Sequence, residues 1–544
     1  MKKVSDPFTR VIAQLDHLGS ELARDGRDAE EDETIRLLLA AVARFGLKLI
    51  NEKQIDSEAH IPSEVLSAAA KMGLFGLTIP TTYGGAGLSM KGACRVIQAL
   101  SEIDRSVGVT IGLHNGLGLR GLITFGSENL KARYLPSLAR GDSIACFAVT
   151  ESEAGSDIAA LTTTAIADGT DLVINGSKIY VTNGGLAQVA TIVARTPGLA
   201  GSRRGHSLIL VPLDSPGVTR DAEEHKLGIR GSSTCTVHFD NVRVGMDHIL
   251  GQPSKGLDHL SYVLSWGRTM MAAGCLGCAR AALEKTLAQV TGRRQFKRPI
   301  AEFGMVREKI ARMRSRLHEM ECAIRLVTWI EDDQPGSIIW DSSVAKVFSS
   351  ESAWLVTDDA VQLHGGSGFI EETGVARYLR DVRITRIFEG ANELLRFHLA
   401  STAFTWEPVQ VANGSKLAGQ LDTRLAHEAA EFDNLRRRFA EALTVQRNKY
   451  GIKVFQRQMT QQRIADASIN LYVLLAILAR AHGESKQGRL NDMLVTWTRY
   501  SAHELCKIVR HNLEDLDDNS NDLANQIAKN ECDRAGCILK EDGA

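Results

Sequence analysis

The chain has 544 residues, of which 44% are hydrophobic and 24% are charged, as is ordinary for a globular protein of three or four domains. Its formal net charge of -1 gives no electrostatic reason to expect a nucleic acid as a partner. The nine cysteines are sparse and follow no spacing typical of a disulfide framework, so reduced thiols are expected.

The hydrophobic pattern predicts an α+β fold with five segments along the chain. Residues 1–32 are polar and are expected to be a flexible N-terminus. Helical spacing predicts an N-terminal α-domain over 33–142, and short β-branched runs predict a central β-domain over 143–252. The helical period returns over 253–404, where a C-terminal four-helix-bundle domain is expected, and the charged segment 405–544 predicts an additional helical domain.

The start of the chain carries no targeting pattern. Its first residues, Met-Lys-Lys-Val-Ser-Asp-Pro, lack the apolar core of a signal peptide, and the acidic stretch 24–35 argues against a transit peptide. The apolar stretch Leu471–Ala479 is well short of the roughly 20 residues that span a bilayer. These features predict a cytoplasmic location, with peripheral contact at the inner membrane face as an option.

Cys275 and Cys278 form a C-x-x-C pair within a run of small and apolar residues. Such a pair could serve redox chemistry, bind zinc or simply lie at a close helix contact. No second cysteine pair completes a zinc site, and the small neighbours favour the helix contact.

Two segments of the predicted β-domain carry side chains suited to a flat polar ligand. Residues 146–157, Cys-Phe-Ala-Val-Thr-Glu-Ser-Glu-Ala-Gly-Ser-Asp, run from a strand into a loop, where the Thr150 and Ser156 hydroxyls can reach such a ligand. In residues 176–185, Gly-Ser-Lys-Ile-Tyr-Val-Thr-Asn-Gly-Gly, strand alternation places Tyr180 and Thr182 on one face. Taken alone, each segment could equally be structural.

Two later segments carry charge and glycine. Residues 293–300, Arg-Arg-Gln-Phe-Lys-Arg-Pro-Ile, could bind phosphate or form a solvated helix end. Residues 362–369, Gln-Leu-His-Gly-Gly-Ser-Gly-Phe, permit close backbone approach but do not match G-x-G-x-x-G. Glu389 follows Ile-Phe in residues 380–396, and a carboxylate in an apolar neighbourhood has a raised pKa and can act as a base near neutral pH. Alone, it could also be a surface glutamate at a turn.

In this order the four segments resemble the acyl-CoA dehydrogenase family over about residues 35–403. The first is similar to that family's flavin-contacting V-T-E-x-x-A-G-S-D signature, the second to its W-I-T-N-G strand and the third to its R-x-x-F-G motif. The fourth resembles its Q-x-x-G-G-x-G loop and the E-G-T segment that carries the base. The run Gln461-Gln-Arg-Ile-Ala-Asp-Ala-Ser-Ile-Asn-Leu-Tyr and residues 388–396 are similar to the very-long-chain branch.

The resemblance implies an FAD-dependent enzyme that removes the α-proton of an acyl-CoA and passes the β-hydride to the flavin. Glu389 would be the base, since the stretch 261–268, where an isovaleryl-type branch carries it, holds no carboxylate. Arg268 and Gly390 would meet the substrate, and Ser156 would line both the flavin and the start of the CoA arm.

The resemblance also implies the flavin contacts. The contacts near the isoalloxazine ring would be Val149, Thr150, Ser156, Tyr180, Val181 and Thr182. The fourth segment implies one more flavin contact, Glu393. Those that would hold the pyrophosphate and adenine end, across a subunit contact, are Arg293, Phe296, Gln362, Gly365 and Gly366.

Several residues depart from the family pattern. Tyr180 stands where Trp is usual, Lys297 replaces the glycine of R-x-x-F-G, and Ser152-Glu153 replaces a Pro-Gly type pair. Ala391 replaces the threonine of E-G-T. None of these changes removes the base.

Two features bear on chain length and on membranes. Gly108 and Gly112 share one face of a predicted helix, where they could leave room for a long acyl tail or allow close helix packing. Lys449, Lys453 and Arg457 would form a basic stripe if helical. The segment 447–463 is therefore expected either to contact an anionic membrane peripherally or to form a solvated face.

The partners implied by the resemblance are a long-chain acyl-CoA, electron-transfer flavoprotein and a second copy of the chain in a homodimer. Two alternatives remain. An acyl-CoA oxidase would pass the electrons to oxygen. An assembly scaffold of a respiratory complex is the other, because one relative of the very-long-chain branch serves complex I assembly.

Overall fold

The computed structural model describes residues 6–22, 24–516 and 520–534. The chain forms two compact units, one of residues 24–391 and one that combines the chain before residue 24 with the chain from residue 392 onward. By packing, the boundary lies between residues 391 and 392, whereas the hydrophobic pattern predicts a domain boundary at 404/405.

The first described residues are helical, so the expectation of a flexible N-terminus is wrong for residues 6–22. They form α1 (Pro7–Ala13) and α2 (Leu15–Glu21). Asp6 caps α1 by accepting a hydrogen bond from the Thr9 N–H at 2.8 Å. Phe8 is fully buried and meets the ring of Trp406 edge-on at 5.9 Å, so apolar burial orders this segment.

The larger unit begins with a helical domain. Its helices are α3 (Ala29–Leu49), α4 (Glu52–Glu58), α5 (Ser63–Lys71), α6 (Met90–Ile103), α7 (Arg105–Leu113), α8 (Leu119–Phe125) and α9 (Glu128–Arg140). Side chains of Asp28, Ser89 and Asp104 cap three of these helices. Val42 and Phe45 lie in its apolar core at the predicted helical spacing.

The central domain is an eight-stranded sheet. Its strands are β1 (Ala145–Ala148), β2 (Thr164–Asp168), β3 (Asp171–Thr182), β4 (Val189–Arg195), β5 (His206–Pro212), β6 (Val218–Arg220), β7 (Thr234–Gly245) and β8 (Ile249–Leu250). They run in the order β6-β7-β3-β2-β4-β5-β8, with β1 pairing in parallel with β4. Strand β3 is long and is interrupted by register shifts at Ile174/Gly176 and Lys178/Val181.

Long helices close this unit. They are α10 (Gly256–Gly292), the β9 (Arg294–Gln295) and β10 (Arg298–Pro299) hairpin, α11 (Gly304–Asp333), α12 (Ile339–His364), α13 (Gly366–Phe369) and α14 (Val375–Arg383). Helices α10, α11 and α12 pack pairwise, and α14 packs on α10 and α12, which forms the expected bundle. A Cβ at Gly277 would come within 2.2 Å of the Gln98 carbonyl oxygen, so small residues let α10 approach α6.

Cys275 and Cys278 lie inside this bundle. Both are free and buried, and burial raises the pKa of both thiols. The structure therefore supports the helix-contact interpretation of the C-x-x-C pair.

The second unit is helical. Besides α1 and α2 it contains α15 (Asn392–Ala403), α16 (Pro408–Asn413), α17 (Ala426–Tyr450), α18 (Gln458–Lys486), α19 (Asp492–Glu514) and α20 (Ser520–Arg534). Among the described helices, α18 is the one long and apolar enough to cross a membrane, but 89% of its apolar window is buried in the protein. Helix α18 is thus the core helix of this unit.

The predicted basic stripe is not on one helix. Helix α17 ends at Tyr450, a 3-10 turn spans Gly451–Gln456, and α18 begins only at Gln458. The helical spacing assumed for Lys449, Lys453 and Arg457 is therefore wrong.

Candidate active site

Glu389 lies in a strained turn at the end of the larger unit. We call residues 387–391 the base turn. It follows a 3-10 turn, Ile384–Arg386, and the N–H groups of Ile387 and Phe388 both donate to the Ile384 carbonyl, at 2.8 and 3.1 Å. Glu389 has φ 58° and Gly390 has φ 99°. A non-glycine residue adopts the left-handed conformation only where its surroundings hold it there.

Two cationic side chains hold the carbonyls of this turn. Arg268 Nε of α10 donates to the Glu389 carbonyl at 3.1 Å and Arg268 Nη1 donates to Ser343 Oγ at 3.3 Å. Lys346 Nζ of α12 donates to the Gly390 carbonyl at 2.8 Å. Two helices of the bundle thus fix the backbone that carries the carboxylate.

The carboxylate of Glu389 is poised to exchange a proton near neutral pH. The residue as a whole is half-buried, but its Oε2 atom is inaccessible and has no hydrogen-bond partner among the described residues. Burial raises the pKa of Glu389 to about 7, against the opposing charges of Lys346, Arg268 and Arg105. A carboxylate with this pKa can accept a proton and is only half protonated near neutrality.

The two predicted flavin-contacting segments of the β-domain lie side by side. The Ile179 N–H donates to the Thr150 carbonyl at 2.9 Å, and Lys178 Nζ donates to the Val149 carbonyl at 2.9 Å. The loop of residues 149–150 is therefore attached to the bulged part of β3.

A buried ion pair lies beneath that loop. Lys178 Nζ donates to Glu151 Oε1 at 2.7 Å, and the Thr162 and Thr163 N–H groups donate to the same carboxylate at 2.6 and 3.0 Å. Burial alone would raise the pKa of Glu151, but these hydrogen bonds outweigh it and lower the pKa to about 2. The pair fixes the segment that carries Val149 and Thr150.

The bulge in β3 turns Tyr180 outward. Tyr180 has φ 56°, and 64% of its surface is exposed, whereas Val181 is buried in the sheet core. Thr182 is half-buried on the outer side, so Tyr180 and Thr182 share a face as the alternation predicts. Val181 can meet a ligand on that face only through its backbone.

This face suits an isoalloxazine ring. An open aromatic ring and a hydroxyl lie beside a loop whose Thr150 side chain is half-buried and whose Ser156 is exposed. These residues fit the flavin that the sequence predicts here, and Ser156 lies further out on the same loop.

The residues predicted for the other end of the cofactor lie far from the base turn. Arg293 is the C-cap of α10, about seven turns or 37 Å along the helix from Arg268. Gln362 lies about 24 Å from Lys346 along α12. The hairpin residue Phe296 is 88% exposed, and Gln362, Gly365 and Gly366 are exposed as well. Arg293 and Glu389 of one chain are too far apart to hold the same flavin dinucleotide.

Glu393 belongs to the other unit. It is exposed in the first turn of α15. Its predicted flavin contact stays a prediction.

Gly108 and Gly112 both face α6. A Cβ at Gly108 would come within 2.2 Å of Ser101 Oγ, so this glycine allows close helix packing, whereas one at Gly112 would meet Ile97 at 3.4 Å, an ordinary contact distance. The acyl cavity predicted at these two glycines stays a prediction.

Sequence reasoning missed Lys346, Arg105 and the Lys178–Glu151 pair. A signal was present, because Lys346 and Lys178 stand in runs of small and apolar residues where a lysine needs a partner. The partner of Lys346 is a backbone carbonyl, which no residue pattern reveals.

Comparisons with known proteins agree with this arrangement. The chain matches "Acyl-CoA dehydrogenase, N-terminal domain" over residues 32–142, the middle domain over 146–242 and the C-terminal domain over 254–404. Residues 423–537 match "ACAD9/ACADV, C-terminal domain".

The chain is 31% identical to the human very long-chain specific acyl-CoA dehydrogenase, mitochondrial, over 496 residues, covering 84% of this chain and 76% of the relative. A crystal structure of acyl-CoA dehydrogenase complexed with FAD from Bacillus anthracis is similar, with TM-score 0.81 and 29% identity over 90% of this chain and 88% of that chain. A structure titled as the electron transferring flavoprotein of Acidaminococcus fermentans is similar at TM-score 0.65 and 28% identity, covering 68% of this chain and 98% of that chain. The chain belongs to the acyl-CoA dehydrogenase family.

Proposed function

We propose that the protein catalyses the FAD-dependent α,β-dehydrogenation of long-chain acyl-CoA to trans-2-enoyl-CoA in fatty-acid oxidation. The observation that carries this proposal is Glu389, a buried carboxylate whose Oε2 has no hydrogen-bond partner among the described residues and whose pKa is raised to about 7. A base of that kind suits removal of a weakly acidic proton from carbon. Its presence also favours catalysis over the scaffold alternative.

Glu389 takes the α-proton of the bound thioester in this proposal. Its carboxylate is ionised in about half of the molecules at pH 7, and the proton passes to it from the α-carbon. In this proposal the Glu389 N–H would donate to the thioester carbonyl, while Arg268 holds the following peptide group through the Glu389 carbonyl. Such a donor would stabilise the developing enolate.

Val149, Thr150, Tyr180 and Thr182 would hold the isoalloxazine ring. The bound FAD supplies the acceptor for the hydride that leaves the β-carbon. The Lys178–Glu151 pair keeps the loop of residues 149–150 in place beneath it. Ser156, exposed on the same loop, would meet the cofactor and the CoA arm.

The active form is proposed to be a homodimer. Arg293 and Phe296 lie about 37 Å along α10 from the residue that holds the base turn. The exposed cationic hairpin and the exposed glycines 365 and 366 would then hold the pyrophosphate and adenine end of the cofactor of a second copy.

Two features support the choice of substrate length and electron acceptor. The human relative carries the very-long-chain name, which favours a long acyl chain. The human relative is named a dehydrogenase, which favours electron-transfer flavoprotein as the proposed acceptor over oxygen. Oxygen consumption during turnover would indicate the oxidase alternative.

Peripheral membrane contact through residues 447–463 is a further part of this proposal. The 3-10 turn in this segment exposes Ile452 to 84% and Phe455 to 37%, beside the exposed Lys453. Apolar side chains flanked by cations suit an anionic bilayer surface. Cosedimentation with anionic vesicles, compared with neutral vesicles, measures this contact.

The test of the function is an anaerobic titration of the purified protein with palmitoyl-CoA, followed in the visible spectrum. We expect the oxidised flavin bands to bleach, and to bleach at lower ligand concentration than with butyryl-CoA. In Glu389→Gln the flavin should bind but its reduction should slow by about 10² to 10⁴-fold, the usual contribution of a general base. Flavin that no acyl-CoA reduces would contradict the proposed function.

A further inference from the structure

Cationic side chains from two different helices donate hydrogen bonds to two consecutive carbonyl groups of the base turn. Arg268 Nε donates to the Glu389 carbonyl and Lys346 Nζ donates to the Gly390 carbonyl, at 3.1 and 2.8 Å. Because a peptide plane is rigid, fixing both carbonyls fixes the two planes that flank the Gly390 Cα. The first of these planes contains the Glu389 Cα and constrains the direction of its side chain, and the second holds the turn directly after it.

The conformation of the base turn depends on supporting contacts such as these two hydrogen bonds. Glu389 stands at φ 58°, a conformation that side chains other than glycine seldom adopt without support. It is followed by Gly390 at φ 99°. Loss of a supporting hydrogen bond would let this segment relax toward ordinary backbone angles and carry the carboxylate away.

Lys346 donates to the Gly390 carbonyl from a fully buried position, and burial disfavours the charged form of a lysine. It is 0% exposed in the middle of α12, flanked by the buried Ala345 and Val347. A lysine is almost never fully buried unless it has a partner. Burial lowers the pKa of Lys346 to about 8, while the charge of Glu389 opposes that change, so the lysine is still mostly protonated at neutral pH.

We propose that Lys346 is a positioning residue for the reaction, which holds the base turn through the Gly390 carbonyl and places a cationic charge near the Glu389 carboxylate. This inference rests on the proposed role of Glu389 as the base. Lys346 acts through Glu389 and is not itself assigned a contact with substrate or cofactor.

The charges that face Glu389 come from three helices. Lys346 of α12 has the largest effect among the charges that lower its pKa, followed by Arg268 of α10 and Arg105 of α7. Lys346 in turn faces Cys275 and Glu351 besides Glu389 and Arg268. Replacing Lys346 therefore removes one of these three cations and leaves the two guanidinium groups.

The first measurement is the pH dependence of flavin reduction by palmitoyl-CoA in the holoenzyme, for wild type, Lys346→Met and Lys346→Arg. Methionine keeps the length and apolar stem but removes the charge and the donor. We expect the acidic limb of the Lys346→Met profile to move upward by about one pH unit. Reduction at pH 7 should then be about fivefold slower, and Lys346→Arg should restore most of the wild-type profile.

Lys285→Met is the matched control. Lys285 is on α10, about 25 Å along the helix from Arg268, and its Nζ pairs with Glu52 at 3.1 Å. Its replacement removes a lysine from the same bundle and should leave the pH profile unchanged. A Lys346→Met profile that superimposes on the wild type would show that Lys346 is merely structural.

The second measurement is hydrogen exchange of the base turn, which needs no turnover. The N–H groups of Ile387 and Phe388 bond to the Ile384 carbonyl, so they report on this turn. Lys346→Met should exchange faster there, while Lys285→Met should not. Lys346→Gln takes the place of the methionine variant if the latter does not fold. Unchanged exchange at these amides would overturn the positioning role, whereas a wild-type flavin that no acyl-CoA reduces would contradict only the proposed function.

Discussion

The carboxylate of Glu389 lies against Gly267 of α10. A Cβ at Gly267 would come within 2.8 Å of Glu389 Oε2 and within 2.4 Å of the Leu117 Cδ2 atom. The Leu117 Cγ atom would lie within 2.7 Å as well, so an added methyl group would displace both this leucine and the carboxylate. The absence of a side chain at Gly267 is therefore part of the geometry of the base.

Gly267→Ala should displace the carboxylate while leaving the fold intact. We expect flavin reduction by acyl-CoA to slow by about 10²-fold, because a small misplacement of a reacting group has a large effect on rate. Stopped-flow spectroscopy measures the rate. Gly292→Ala is the control on the same helix, since a Cβ there would meet nothing within 4 Å. Equal rates in the two variants would contradict this account.

Glu389 should make the stability of the protein depend on pH. Its pKa is raised from 4.5 to about 7, so the folded state binds the proton more tightly than the unfolded state. The stabilisation of the folded state by protonated Glu389 is therefore fully present below pH 4.5, and it is lost as the pH rises through 7. The loss should amount to about 3 kcal/mol.

Glu389→Gln removes this titration. Urea unfolding of both proteins, below pH 4.5 and above pH 7, should show the variant gaining stability relative to the wild type by about 2–3 kcal/mol as the pH rises. A difference that does not change with pH would mean that the carboxylate is not buried as described.

The Lys178–Glu151 pair should behave as a buried ion pair. Lys178→Met leaves the Glu151 carboxylate buried without its cation, which should lower the free energy of unfolding by about 3–5 kcal/mol. It should also weaken flavin binding, because Lys178 holds the Val149 carbonyl. Chemical denaturation and flavin release measure the two effects.

The double variant Lys178→Met/Glu151→Gln should be less destabilised than the sum of the two changes, because no unpaired charge is left. Arg243→Gln is the comparison in the same domain. Its bond to Asp168 is exposed at both ends, so solvent screens it and its loss should destabilise the protein far less than loss of the buried pair. Additive effects in the double variant would argue against a coupled pair.

Gly108 and Gly112 should differ in their tolerance of a methyl group. In Gly108→Ala the added Cβ would lie within 2.2 Å of Ser101 Oγ, which should destabilise the protein by about 1–3 kcal/mol. In Gly112→Ala the added Cβ would meet Ile97 at an ordinary contact distance. Thermal unfolding measures this difference. If the glycines formed an acyl cavity instead, Gly112→Ala would shift the preference from palmitoyl-CoA toward shorter acyl-CoA.

The sequence by itself determined the order of the helical and β segments and the identity of the base. Apolar spacing separates helices from strands because a helix repeats every 3.6 residues and a strand every two, so the boundaries near 142 and 252 were readable. Glu389 was readable because it stands in a segment that resembles the family's base-carrying segment and no carboxylate stands at the alternative position.

Tertiary structure alone decided how the base is held. Lys346 and Arg268 each donate to a backbone carbonyl of a residue more than 40 positions away, and a carbonyl is the same in every residue type. The same holds for Phe8, whose polar neighbours predict a flexible segment although a core formed by distant residues buries it. A residue's neighbours along the chain predict its local conformation, but burial and charge pairing depend on which distant residues the fold brings together.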